Sequence, residues 1–302
     1  MSIAELEARE IELEQPTGLW RDALHRLRRN PGAIVGFILV GLFVAMAILA
    51  PVIAPADPLD QDIGALQGRC CPGPSLDHWF GLDALGRDEF SRVVYGARYS
   101  LIIGVVSVAV GLSLGLLLGA IAGYLGRIAD TLIMRLMDIW LSIPGLLLAI
   151  GIVAMLGPGL LQIMVAVGAT QIPIFARLLR RSILAQREND FVLAARAIGV
   201  PRRTILAAHI LPNAISPVIV QGTLAMATAI IDVAGLGFLG LGPQDPATPE
   251  WGTMLTETTR YLQTAPHLAI IPGIAIVISV LGFNLIGDGL REALDPKLRG
   301  RA

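Results

Sequence analysis

Seven arginines (Arg177, Arg180, Arg181, Arg187, Arg196, Arg202 and Arg203) crowd one polar stretch between two apolar runs, against only two acids, Glu188 and Asp190. A chain that crosses a membrane seldom keeps so long a charged, helix-forming segment unless something outside the bilayer grips it. An arginine excess of this kind places the segment on the cytoplasmic side. The groups that bond-making chemistry needs are scarce elsewhere. Lys297 is the only lysine, and it lacks the glycines of a GxxxxGK[ST] phosphate-binding loop. An ATP-driven function would therefore need an ATPase on another polypeptide. The four histidines are scattered, and the two cysteines, Cys70 and Cys71, are adjacent. Neither forms a metal-ligand or nucleophile arrangement, so no catalytic residue and no metal site is expected. A bridge between neighbouring cysteines is strained and uncommon, and the pair reads as two ordinary loop residues.

Two acids stand in apolar surroundings, Asp232 inside one run and Asp138 near the end of another. A buried acid is costly in lipid, so it faces a cavity or a partner. Arg135, three residues before Asp138, shares its helix face and is the expected partner. Asp232 has no such neighbour in sequence. It either lines a pathway or bonds to an adjoining helix.

These residues must be positioned by membrane spans. The chain is 54% hydrophobic and only 16% charged, with a mean hydropathy of +0.69, which demands several crossings. Residues 33–54 carry no charge and are long enough to cross a hydrocarbon core of about 30 Å. This run is too long and too far from the start for a cleaved signal peptide. Further apolar runs follow at about 101–125, 134–156, 160–178, 215–240 and 268–287. Six spans are predicted, with both termini cytoplasmic: Arg26, Arg28 and Arg29 flank the first, and Arg291, Lys297, Arg299 and Arg301 follow the last. The acid-rich segment 55–98 falls outside, and the arginine-rich loop falls inside between the fourth and fifth spans.

Within that loop, Asn189 or Asp190 can cap a short helix running to about Ile198, which Gly199 and Pro201 stop. Phe191, Ala194 and Ala195 are expected on one side of it, small enough to lie against a partner. A second helix from about Arg202 should rise through Leu211 and Pro212 into the fifth span. The second span carries Gly111, Gly115, Gly119 and Gly123 at four-residue spacing. Such a stripe lets backbones approach closely, either within this bundle or against a partner chain. Prolines 144, 173, 217 and 272 fall in or near spans, where neighbouring helices can satisfy the freed carbonyls. No internal repeat is evident, which argues against the inverted-repeat plan of many secondary transporters.

The loop's pattern of Ala194, Ala195, Gly199, Leu211 and Pro212 resembles the cytoplasmic coupling loop of ABC-importer permeases. The general motif has glutamate where Leu193 stands and isoleucine where His209 stands. The Ala-Ala-Arg form ending at Arg196, and the His-Ile-Leu-Pro-Asn form, resemble the peptide-importer branch. Three further segments do the same: HWFGLDALGRDEFSRVVYGAR (78–98), IDVAGLGFLGLG with PEWGTML (231–242 and 249–255), and FNLIGDGLREALDPKLR (283–299). With a first span ahead of a five-span core, they resemble the C-type permease subunit of dipeptide and oligopeptide importers.

That resemblance implies an all-α membrane protein of the type I ABC importer permease fold. Its parts would be a cytoplasmic tail (1–30), an N-terminal span and external loop (31–98), a permease core (99–290) with the coupling loop at 179–213, and a cytoplasmic tail (291–302). Asp190, Phe191, Ala194, Ala195, Arg196, Gly199, Leu211 and Pro212 would couple to an ATPase. Asp232 would meet a peptide ammonium or bond a helix. The implied partners are a homologous second permease, two ABC ATPase subunits carrying ATP and Mg, an extracytoplasmic substrate-binding protein and membrane lipid, with no nucleic acid. The implied location is the bacterial inner membrane, and the cargo short peptides, glutathione among them. Nickel and some oligosaccharide importers share the fold. A stand-alone channel or secondary transporter is the rival class.

Overall fold

A computed structural model describes residues 19–66 and 70–294, and among them there is no strand, only two isolated β-bridges. The principal helices are α1 (Leu19–Leu27), α2 (Pro31–Ile53), α3 (Glu89–Leu125), α4 (Arg127–Leu141), α5 (Gly145–Leu156) and α6 (Leu160–Gln186). They continue as α7 (Asp190–Ala197), α8 (Ser216–Leu236), α9 (Trp251–Thr258) and α10 (His267–Leu294). Most of the charged 1–30 segment, as well as Lys297, Arg299 and Arg301, lies outside the described residues.

Five helices are long and apolar enough to cross a membrane, and a bent pair, α4 with α5, makes a sixth crossing if counted as one span. The third span expected as one run at 134–156 is thus two helices meeting at 89°. Pro144 is the cause within reach of the sequence. It has no amide to continue the ladder, and it holds Ile143 away from helical geometry. The second span also begins earlier than its apolar run. Asp88, inside the segment assigned to the external loop, caps α3 by accepting from the Ser91 amide at 2.8 Å, so helix starts twelve residues before about 101. The apolar run marks the part of the helix in lipid, and the helix itself extends past it.

Helix α6 is the axis of the bundle, with Ile163, Val167, Phe175, Leu179 and Ile183 at most 1% exposed. It runs parallel to α3. A Cβ on Gly111 would lie 2.5 Å from the Gln171 Cβ, one on Gly115 would lie 2.8 Å from the Ile172 carbonyl, and one on Gly119 would lie 2.5 Å from the Ala176 carbonyl. At Gly123 the nearest atom is an Ile183 methyl at 3.0 Å. The glycine stripe therefore seats α6 of the same chain backbone to backbone.

The last span is held the same way. A Cβ on Gly36 of α2 would lie 2.8 Å from the Gly282 carbonyl of α10, and one on Gly289 would lie 2.5 Å from the Ala33 Cβ. Asn30 caps α2 through the Ala33 amide and donates to Glu292 at 2.6 Å. The start of α2, the end of α10 and the ends of α3 and α6 therefore share one end of the bundle with residues 187–215, the loop end. Residues 55–88 and α9 lie at the far end.

There the separated sequence motifs meet. Gly96, Ala234 and Gly237 leave room for residues 249–253: Cβ atoms added at Gly96 and Gly252 would come within 2.6 Å of the Pro249 carbonyl and 2.4 Å of the Ala234 carbonyl. Trp251 is fully buried, donates from Nε1 to the Val93 carbonyl at 3.1 Å and meets Phe43 edge-on. Arg87 and Arg92, both nearly buried, each bridge Asp83 to Glu257, so α9 is tied to the start of α3 by charge as well as by packing.

Candidate coupling site

The arginine-rich loop folds as a short helix followed by a distorted one. α7 is closed by a Schellman motif. Gly199, at φ +81°, donates to the Arg196 carbonyl, and Val200 donates to that of Ala195, each at 3.0 Å. The left-handed conformation is why glycine stands there. Val200 then packs on the core beside Ala195. Asn189 occupies the N-cap position, but its side chain donates to Gln186 Oε1 at 2.7 Å. Asp190, exposed in the first turn, complements the positive end of the helix.

The helix presents a different face from the one its sequence suggests. Val192 and Ala195 are buried at 0% and 6%, locked into the same core cluster as Phe175 and Ile183. Ala195 thus holds α7 to its own chain, and does not share the exposed side with Phe191 and Ala194 as expected. The outward face is Phe191, Leu193, Ala194, Ala197 and Ile198, with Ile198 81% exposed. Leu193, Ala197 and Ile198 were missed in the sequence, where five consecutive apolar residues (191–195) give no contrast between faces.

Leu211 and Pro212 lie apart from α7. Residues Ile205–Ile210 form a π turn, with the turn Leu211–Ala214 beyond it leading to α8. Proline supplies no amide, and the Asn213 side chain donates to the His209 carbonyl at 2.8 Å. Leu211 packs against the central core, while Pro212 is exposed, and both belong to the link into α8. A π turn is a wide, irregular stretch of helix and a natural place for one to flex.

The arginines divide by role. Arg177 pairs with Asp138 and Arg180 with Asp130, fastening α6 to α4, and Arg187 donates to the Gly123 carbonyl at 2.9 Å. The expected partner of Asp138, Arg135, is displaced because α6 brings Arg177 to it across the bundle. Arg196, Arg202 and Arg203 remain exposed.

Asp232 sits half-buried on α8 beside the exposed Thr228 and Ile231. No hydrogen bond or charge partner reaches it among the described residues. At the far end, the fully buried Glu250 caps α9, accepting from the Gly252 and Thr253 amides at 2.8 and 2.9 Å. Burial pushes its carboxyl up from the usual 4.5 to about 7 against those two bonds. Cys70 and Cys71, expected as ordinary loop residues, are joined as a disulfide, with Cys71 at φ +63° and buried against Ala265 and Leu268. Its seat in this small cluster is what the sequence did not show.

The family described as binding-protein-dependent transport system inner membrane component matches residues 115–300. The N-terminal TM domain of oligopeptide transport permease C matches residues 18–68. A dipeptide transport system permease protein of Alkalihalophilus pseudofirmus is 48% identical over 93% of this chain and 90% of its own. A glutathione transport system permease protein of Escherichia coli is 47% identical over 96% and 94%. The inward-facing MetNI methionine ABC transporter has a chain that shares the fold at a TM-score of 0.56 and 22% identity, covering 68% of this chain and 96% of that one.

Proposed function

Since the chain belongs to the binding-protein-dependent transport system inner membrane component family, we propose that it forms half of the membrane pathway of an ATP-driven importer of short peptides. The subunits it would work with are a homologous second permease, two ABC ATPases holding ATP and Mg, and an extracytoplasmic binding protein that delivers the cargo. The dipeptide and glutathione relatives support a peptide cargo. The membrane would be the bacterial inner membrane. The loop end, with its arginines, would face the cytoplasm and residues 55–88 would face outward.

The observation that carries this reading is α7: a short helix rigidly held on one side and bare and apolar on the other. An apolar face at a watery membrane surface is stable when a partner covers it. Its inner residues are fixed in the core, and the π turn follows at once. A push on α7 would therefore pass to α6 by packing and to α8 through the turn, tilting spans so that the pathway opens alternately to each side. Asp232, bare of partners on α8, is suited to face that pathway.

Ala194→Glu tests the assignment. A desolvated, unpaired carboxylate on the outer face costs several kcal/mol, enough to weaken docking by about a hundredfold. Co-purification of the ATPases and permease-stimulated hydrolysis should both fall, with the spans still inserted. Ala195→Glu should instead lower the yield of folded subunit, because that site is internal. Normal assembly and hydrolysis with Ala194→Glu would remove α7 as the coupling element.

A further inference from the structure

At the loop end, a cavity of about 160 Å³ opens between the ends of α3 and α6, Arg196 at the edge of α7, and the π turn. Three arginines, Arg187, Arg196 and Arg202, line it together with Tyr124, and its other walls are apolar, Ile205 and Leu206 among them. No acidic side chain lines it among the described residues. Arg187 spends one nitrogen on the Gly123 carbonyl, while no salt bridge of the described residues engages Arg196 or Arg202. The charge of the cavity is therefore uncompensated among the described residues. Guanidinium groups borne by three arginines around one small space can together meet the oxygens of a phosphate.

We propose that this cavity binds a phosphate group, and its position and apolar walls point to the phosphodiester of an anionic phospholipid. It lies where α3 and α6 end, at Leu125 and Gln186, and the apolar run of α3 stops at about 125, which sets this level near the headgroups. Tyr124 is of the residue type that settles at this interface. Basic pockets between spans at this level hold anionic headgroups. The isoleucine and leucine walls suit the glycerol and first methylenes of a lipid and give nothing to free phosphate. A lipid seated there would touch α6, α7 and the π turn at once, so that the resting position of α7 depends on the lipid beside it.

Native mass spectrometry of the full chain, loaded with phosphatidylglycerol, phosphatidylcholine or inorganic phosphate, distinguishes the sources. Arg196→Gln with Arg202→Gln should lower phosphatidylglycerol retention by roughly tenfold or more. Arg181→Gln with Arg203→Gln removes the same charge from outside the cavity and should leave retention unchanged. In the wild-type chain, phosphatidylglycerol and not phosphatidylcholine should slow amide exchange at residues 205–210, a reading that needs no variant. Equal losses in the two double variants would overturn the site in favour of diffuse surface attraction. Retention of inorganic phosphate without preference for phosphatidylglycerol would keep a phosphate site and overturn its lipid identity. Absence of both adducts and of slowed exchange would overturn it altogether.

Discussion

Individual residues divide into those whose role follows from type and those whose role follows from surroundings. Gly199 belongs to the first group: a glycine ahead of a proline, after a short helical run, announces the left-handed cap that the structure holds. Ala195 and Arg135 belong to the second. Ala195 turns inward because α7 lies on α6, and Asp138 finds Arg177 because α4 folds back along α6; neither contact is local in sequence. Asp232 is the informative intermediate case. Its type and its place in an apolar run flagged it, and the absence of a partner among the described residues favours a role toward the pathway. Asp232→Ala should lower transport of peptides by about tenfold, the worth of one hydrogen bond to a charged group. The amount of complex recovered should be unchanged. Parallel loss of complex and transport would mark the residue as a fastening between subunits.

Whole elements were legible where an apolar run and a helix coincide, as in α2, and less so where the helix leaves the lipid. α3 and α6 extend well beyond their apolar runs because ion pairs and caps carry them on. The 89° break between α4 and α5 departs from the single run expected at 134–156, where Pro144 reads as tolerated within a span; proline fixes where the first helix stops, and packing against α6 sets the angle. α9 shows how an element can depend on one buried group. With the Glu250 carboxyl raised to about 7, the folded form favours the protonated state. The stability it lends is complete below pH 4.5 and is lost as the pH rises through about 7. Exchange protection of the Gly252 and Thr253 amides, corrected for intrinsic rate, should therefore fall as the pH rises from 4.5 to about 7 and level off above it. Glu250→Gln keeps one of the two acceptor oxygens, has no charge to titrate, and should flatten that profile. A wild-type profile as flat as that of the variant would show that the carboxyl titrates at its ordinary value.

For the molecule as a whole, the alternation of apolar runs and charged loops was enough to group the ends of the helices. The placement of α10 against α2 and of α9 against α3 was not readable, because it rests on glycines whose neighbours lie more than a hundred residues away. Orientation is open to direct measurement. In a background lacking Cys70 and Cys71, Ser75→Cys should react with an impermeant reagent added outside, and Arg291→Cys only after the membrane is opened. Reaction of both from one side would contradict the six-crossing arrangement. The seam between α3 and α6 has a mechanical corollary. Where helices meet through side chains, they can slip past one another as rotamers change, but over the stretch from Gly111 to Gly119 the backbones touch with nothing between them. Such a joint has no play. The two parallel helices act as one beam across the thickness of the membrane, so displacement at one face arrives undiminished at the other, and all bending is left to the wide turns at 205–210 and 237–241.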